Sequence, residues 1–136
     1  MENMILKELM KLVDQALKKN EVPVAAVIVE NDQIIAKAYN KTEKQNCVTG
    51  HAEIQVIKIA SKKLKTWHLD NCELYVTLEP CDMCWGAIRL AHIKKTFYLV
   101  KSNKNVTFKT IKKQIANNNT KRNYVDKLQA FFKEKR

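Results

Sequence analysis

The chain has 136 residues, 46% hydrophobic and 7% aromatic, with a formal net charge of +11. That length suits one ordinary core, and with only 2 Gly and 2 Pro the composition excludes long flexible linkers and a disordered polyelectrolyte. No run approaches the ~18 apolar residues of a membrane span, and Met4-Ile5-Leu6 is followed at once by Lys7 and Glu8, which is not a signal-peptide pattern. The expectation is a single domain over residues 1–136, cytoplasmic and without a membrane partner.

The charge is unevenly spread. Residues 1–100 carry 14 Lys/Arg against 12 Asp/Glu, whereas residues 101–136 carry 11 against 2. The basic surplus therefore belongs to the C-terminal part and points to a polyanionic partner, most simply nucleic acid. A solvated, Lys-rich helix face is the plainer alternative.

In chain order, Ile5, Leu9, Leu12, Val13, Ala16 and Leu17 recur at helical spacing, with Lys7, Lys11 and Lys18 outside. Asn20-Glu21 ends that helix. Pro23 opens Val24–Val29, apolar at every position, as in a strand buried on both faces. Asn31-Asp32 is a turn signal, so Ile34–Tyr39 completes a hairpin. Asn40–Val48 is polar and irregular, a loop able to cover a site. Thr49 is the expected cap of a helix from about His51 to Lys65, with Ile54, Ile57, Ser61 and Leu64 as its buried stripe. Leu74–Leu78 is a third strand. Pro80 suits the first turn of the next helix, and Ala87, Ile88, Leu90 and Ala91 carry that helix into the core. Thr96–Val100 is a fourth strand, Val106–Ile115 is ambiguous, and Asn117-Asn118-Asn119 precedes a basic helix over about 120–136 with Val125, Leu128 and Phe132 on one side. Strands joined by crossover helices imply an α/β fold with a partly parallel sheet and helices on both faces. In such sheets ligands bind beyond the carboxyl ends of strands.

Two stretches carry chemistry: Gly50-His51-Ala52-Glu53 and Glu79-Pro80-Cys81-Asp82-Met83-Cys84. His51, Cys81 and Cys84 offer one imidazole and two thiols, the three protein ligands of a catalytic zinc site whose fourth position is left to water. The thiols, at a helix start, gain from unpaired amides and the positive helix end. Glu53 is not needed as a ligand and is free to move protons. His-x-Glu with Pro-Cys-x-x-Cys is the pattern of zinc-dependent nucleobase deaminases. His51 and Glu53 lie two residues apart, so they can serve one ion only if it sits in front of the helix's first turn. The rival is a closed structural site in which Cys47 joins His51, Cys81 and Cys84. Cys72 reads as a small buried apolar residue, His68 and His92 as surface histidines, and Trp67 and Trp85 as packing or interface residues.

Val22-Pro23-Val24, Asn40, His51-Ala52-Glu53-Ile54, Leu74 through Cys81, Met83-Cys84, Gly86-Ala87 and Phe131-Phe132-Lys133 together resemble the bacterial tRNA-specific adenosine deaminases. The resemblance implies a three-layer α/β/α cytidine deaminase-like fold with a central mixed sheet, a homodimer, and one zinc ion (Zn2+) per subunit. The implied reaction is hydrolytic conversion of adenosine to inosine at the wobble position of a tRNA anticodon stem-loop. It further implies that Glu53 is catalytic, that Asn40 contacts the target nucleoside, and that Val27 and Pro80 line the pocket. RNA contacts then fall on Lys121, Arg122, Phe131, Phe132, Lys133, Lys135 and Arg136. The chain departs from the family at Ala25, where Gly is usual, and at Trp85, where a small residue is usual. It departs again at Lys101-Ser102-Asn103-Lys104, in place of Arg-Asp and a Gly-containing loop. Two other functions stay open: a deaminase of guanine, cytosine or a nucleoside, and a non-catalytic RNA-binding module.

Overall fold

Asn31 and Asp32 both have positive φ, 52° and 62°, a conformation that Asn and Asp tolerate and that two-residue hairpin turns require. They join β1 (Ala25–Glu30) to β2 (Gln33–Tyr39) as an antiparallel pair with an irregularity at Ile28/Val29. The computed structural model describes residues 1–102 and 111–135. Asn103, Lys104, the first half of the ambiguous Val106–Ile115 stretch (residues 106–110) and Arg136 lie outside them.

Ahead of the hairpin runs α1 (Glu2–Lys18); after it come a short helix α2 (Thr42–Gln45) and α3 (Ala52–Leu64). Then follow β3 (Cys72–Leu78), α4 (Asp82–Leu90), β4 (Lys95–Val100), β5 (Ile111–Gln114) and α5 (Asn118–Lys135). The sheet order is β2-β1-β3-β4-β5; β1 is antiparallel to both neighbours, while β3, β4 and β5 are parallel. The mixed sheet is the one expected from crossover helices.

Two apolar clusters cover its faces. Ile5, Leu9 and Val13 of α1 and Tyr124 of α5 pack on Ala25, Val27, Val29 and Leu99. On the other face Val56 and Ala60 of α3 and Trp85 and Ile88 of α4 pack on Ala26, Ile28, Leu74, Val76 and Tyr98. Each large side chain so buried is worth about 1.5–3 kcal/mol.

Several expectations are corrected here. Asn40–Val48 is not wholly irregular: it contains α2, whose first-turn amides are capped from a distance. Asn40 Oδ1 accepts from the Thr42 N–H at 2.9 Å, and the buried Glu21 carboxylate accepts from Glu43 and Lys44 at 2.9 and 2.8 Å. The N-cap of α3 is His51, not Thr49; the Thr49 hydroxyl instead lies 3.0 Å from Cys47 Sγ. The buried stripe of α3 is Ala52, Gln55, Val56 and Ala60, with Ile54, Ile57, Ser61 and Leu64 only half-buried. Small residues there let the helix lie close on β1 and β2. Pro80 precedes the N-cap of α4 and so is not in its first turn. Leu90 is 65% exposed, and Trp85, 1% exposed, takes the core position in its place. Asn117 Oδ1 accepts from the Thr120 N–H at 3.0 Å, so the triple Asn starts the last helix as well as ending the strand.

Candidate active site

The site forms where two helices begin side by side. His51, extended at φ −61° and ψ 145°, is the N-cap of α3, and Cys81, at φ −74° and ψ 173°, is the N-cap of α4. Extended N-caps turn their side chains away from the helix body, so both point into the space ahead of the first turns. Cys84 follows one turn into α4 and is buried. His51 Nδ1 lies 3.6 Å from Cys81 Sγ and 3.4 Å from Cys84 Sγ, and the three donor atoms lie within 4.8 Å of one another.

These separations fit a shared ion. A sulfur at about 2.3 Å and a nitrogen at about 2.0–2.1 Å from a tetrahedral centre stand about 3.6 Å apart. The electrostatics fit as well. Hydrogen bonds from Cys84 and His51 hold the Cys81 thiol far below its ordinary value, at about 3. Cys84, hydrogen-bonded to Cys81 and buried, is pushed up. By themselves the two thiols share one negative charge; a divalent cation compensates two. Cys47 is exposed and stands outside this group, so the closed Cys3His alternative is not formed.

Glu53, in the first turn of α3, is 4% exposed, and its carboxyl is hydrogen-bonded to Cys84. Burial raises its pKa to about 7. A carboxyl in that range takes and releases protons near neutral pH.

The donors open onto a cleft of about 320 Å³ whose lining includes Val24, Asn40, Glu53, Glu79, Ser102 and Phe132. Asn40 is thus in the cleft, buried, with Oδ1 committed to Thr42 and the two Nδ2 hydrogens as its remaining donors. Val27 is not in the cleft. It is fully buried on the opposite face of the sheet, among α1 residues, because strand positions alternate faces and Val24 and Ala26 take the site side. Pro80 is buried and is not among the lining residues.

Of the residues expected to meet RNA, all described members lie on α5. Phe132 lines the cleft and is 44% exposed. Arg122 and Lys133 are exposed, Lys121 and Phe131 half-buried. The Lys135 side chain and Arg136 lie outside the described residues. Among cleft residues, sequence reasoning gave no role to Glu79. Its carboxylate, on a side chain 2% exposed, accepts from Lys112 Nζ at 2.9 Å and from the Ser102 N–H at 3.1 Å. Lys112 Nζ also stands 5.8 Å from the Trp85 ring centre, a cation–π contact. An acid closing an otherwise apolar strand, Leu74–Leu78, was the available signal.

Residues 2–136 match the model of the MafB19-like deaminases. The chain belongs to the MafB19-like deaminase family. This MafB19-like deaminase is 44% identical over 97 residues to the tRNA-specific adenosine deaminase of Bacillus subtilis, a match covering 71% of this chain. The chain spans 60% of the length of that curated relative. A solved structure from a study of A-to-I editing by tRNA:A34 deaminases at the wobble position of transfer RNA superposes with a TM-score of 0.77 at 32% identity, over 85% of this chain and 100% of that one. The guanine deaminase of Bacillus subtilis superposes at 0.69 with 37% identity, over 74% and 65% of the two chains. The cytidine deaminase-like architecture expected from the resemblance is the one these deaminases share with it.

Proposed function

We propose that this MafB19-like deaminase hydrolyses adenosine to inosine at the wobble position of a tRNA anticodon, releasing ammonia. His51, Cys81 and Cys84 would hold one ion per chain, and a nitrogen-and-sulfur donor set suits zinc. Zinc with three protein ligands supplies an open position where water becomes acidic enough to act as nucleophile near neutral pH. Glu53 handles the protons. Raised to about 7, its carboxyl would take one proton from the attacking water and pass it to the ring nitrogen, then take the second from the hydroxyl newly bonded to the ring carbon and give it to the amine, so that ammonia leaves and a carbonyl remains. The amine leaves only once protonated, so a single mobile carboxyl within reach of water and ring serves every transfer. Asn40 offers its Nδ2 hydrogens to the nucleoside.

The observation that carries RNA over a loose base is Phe132. It brings the basic helix α5 to the rim of the cleft that contains Glu53. A flipped base enters such a pocket while cationic side chains hold the flanking phosphates. The similarity to tRNA-specific adenosine deaminases supports the same substrate. A homodimer and a cytoplasmic setting belong to this reading; among the described residues no helix is long and apolar enough to cross a membrane.

A second reading, deamination of free guanine, rests on the likeness to a guanine deaminase. A non-catalytic RNA-binding role leaves the buried Glu53 beside the metal donors without a purpose. The assay offers zinc-loaded protein an anticodon stem-loop with a wobble adenosine, alongside free guanine, cytosine and adenosine. Inosine formed only in the RNA, at a rate falling steeply with salt, supports the proposal. Turnover of a free base alone replaces it with the second reading.

A further inference from the structure

Beyond the C-terminal end of α4, the end opposite its cysteines, a second group of donors converges. His68 and Asp70 lie in the segment between α3 and β3, and His92 lies in the turn between α4 and β4. Their ligand atoms stand within 4.8 Å of one another. The imidazoles of His68 and His92 are 4.7 Å apart between ring centres, and His92 Nδ1 is 4.0 Å from Asp70 Oδ2.

The backbone beneath this group is held in place. Leu69, between the two donors of the first segment, is 1% exposed. Its N–H donates to Ala91 O at 2.7 Å, and its carbonyl accepts from the Cys72 N–H at 3.1 Å. That bond to Ala91 ties the first segment to the residue next to His92. The His68 N–H donates to Thr66 Oγ1 at 3.1 Å. His92 is held at φ 68°, with its N–H donating to Arg89 O at 3.0 Å. Non-glycine residues seldom hold left-handed backbone, and here it accompanies a ring that faces His68 at 4.7 Å between centres. All three donors are exposed, so short χ rotations bring them to the roughly 3.3–3.5 Å separations that nitrogen and oxygen take around a shared tetrahedral ion.

We propose that His68, Asp70 and His92 form a second metal site, for a borderline divalent transition ion such as Zn2+ or Ni2+. Two imidazoles and one carboxylate suit those ions and leave out Ca2+ and Mg2+, which take oxygen shells. Exposure leaves the remaining positions to water, so the ion exchanges readily and is separate from the one at the cleft. Trp67 reports on it, because its ring centre lies 3.8 Å from that of His68, tilted by 34°, and 5.8 Å from that of His92, whereas Trp85 is buried in the core.

The test uses full-length protein already loaded with one zinc per chain. It is dialysed against Ni2+, with bound metal counted and tryptophan fluorescence followed. A second equivalent and quenching are expected in the wild type. His92→Ala and Asp70→Ala, both at exposed positions, should weaken that second equivalent by roughly tenfold or more, since even groups that only orient a ligand contribute about 10–100-fold. Trp67→Phe should bind Ni2+ and lose the quenching. A wild type that takes up no second equivalent means the rings and carboxylate merely stack, and overturns the proposal. So does a second equivalent that survives His92→Ala unchanged, or quenching that persists in Trp67→Phe. None of these readouts depends on which substrate the cleft accepts.

Discussion

Lys112 Nζ sits 2.9 Å from a Glu79 carboxylate oxygen, across 33 residues of chain, and the Glu79 side chain is 2% exposed. The pair links the end of β3, immediately before the cysteine-bearing turn, to β5 at the sheet's edge. Removing the lysine takes the counter-ion from a buried carboxylate that also accepts from the Ser102 N–H. Lys112→Met is therefore expected to destabilise the fold by about 1.5–3 kcal/mol, the range for a hydrogen bond to a charged group. Adding Glu79→Gln should recover part of that loss, because the stranded charge is gone. Urea unfolding of the two single variants and the double reads the coupling; strict additivity excludes the buried pair as a stabilising unit.

The two glycines should respond in opposite ways. A Cβ on Gly50 would meet Thr42 N at 2.6 Å and Lys41 C at 2.8 Å, both backbone. The same approach allows the Lys41 N–H to bond Gly50 O at 2.7 Å. Gly50→Ala must push α2 off the cleft or displace His51, at a cost of about 1–3 kcal/mol or more, with activity falling too. A Cβ on Gly86, inside α4, would meet nothing within 4 Å among the described residues outside its own helix backbone. Gly86→Ala should stabilise by about 0.5–1 kcal/mol. Thermal melts of both variants check the contrast.

Glu53→Ala should abolish turnover, by at least about 10²–10⁴-fold, while bound zinc stays near one per chain. The carboxyl adjoins the donors without being one of them. Metal analysis beside the inosine assay decides this; loss of zinc together with activity would instead make Glu53 a ligand.

Cysteine chemistry separates the four thiols. Hydrogen bonding with Thr49 lowers the Cys47 pKa, so more of this exposed thiol is thiolate at mildly alkaline pH. Burial raises Cys72 to about 11, with Glu30 adding to the effect. Iodoacetamide should label Cys47 first and leave Cys72 unmodified in the folded protein, with bound zinc shielding Cys81 and Cys84. Thr49→Val should slow labelling at Cys47, and Cys47→Ser should keep both fold and metal. Peptide mass spectrometry follows each thiol, and faster labelling at Cys72 would contradict the burial assignment.

The candidate metal donors were legible before any fold was known, because their chemistry is local: a His two residues from a Glu, and two thiols spaced by one helical turn. That spacing implied that any ion shared by His51 and Glu53 would stand in front of the helix start, and His51 and Cys81 are the N-caps of α3 and α4. The hairpin was legible from Asn31-Asp32 for a similar reason, since few residue pairs accept positive φ at consecutive positions.

What tertiary structure decided are the facts that depend on which surfaces meet. Val24–Val29 is apolar throughout, so it lacks the alternation that tells one sheet face from the other, and only packing put Val24 by the cleft and Val27 against α1. On α3 the bulky Ile54 and Ile57 suggested the buried side. The helix instead rests on Ala52, Val56 and Ala60, because close approach to a sheet selects small side chains over greasy ones. Glu21 capping α2, Glu79 meeting Lys112 and Phe132 reaching the cleft join residues far apart in the chain. No local period encodes such pairings; they arise when the sheet closes and brings strand ends and helix starts to one edge.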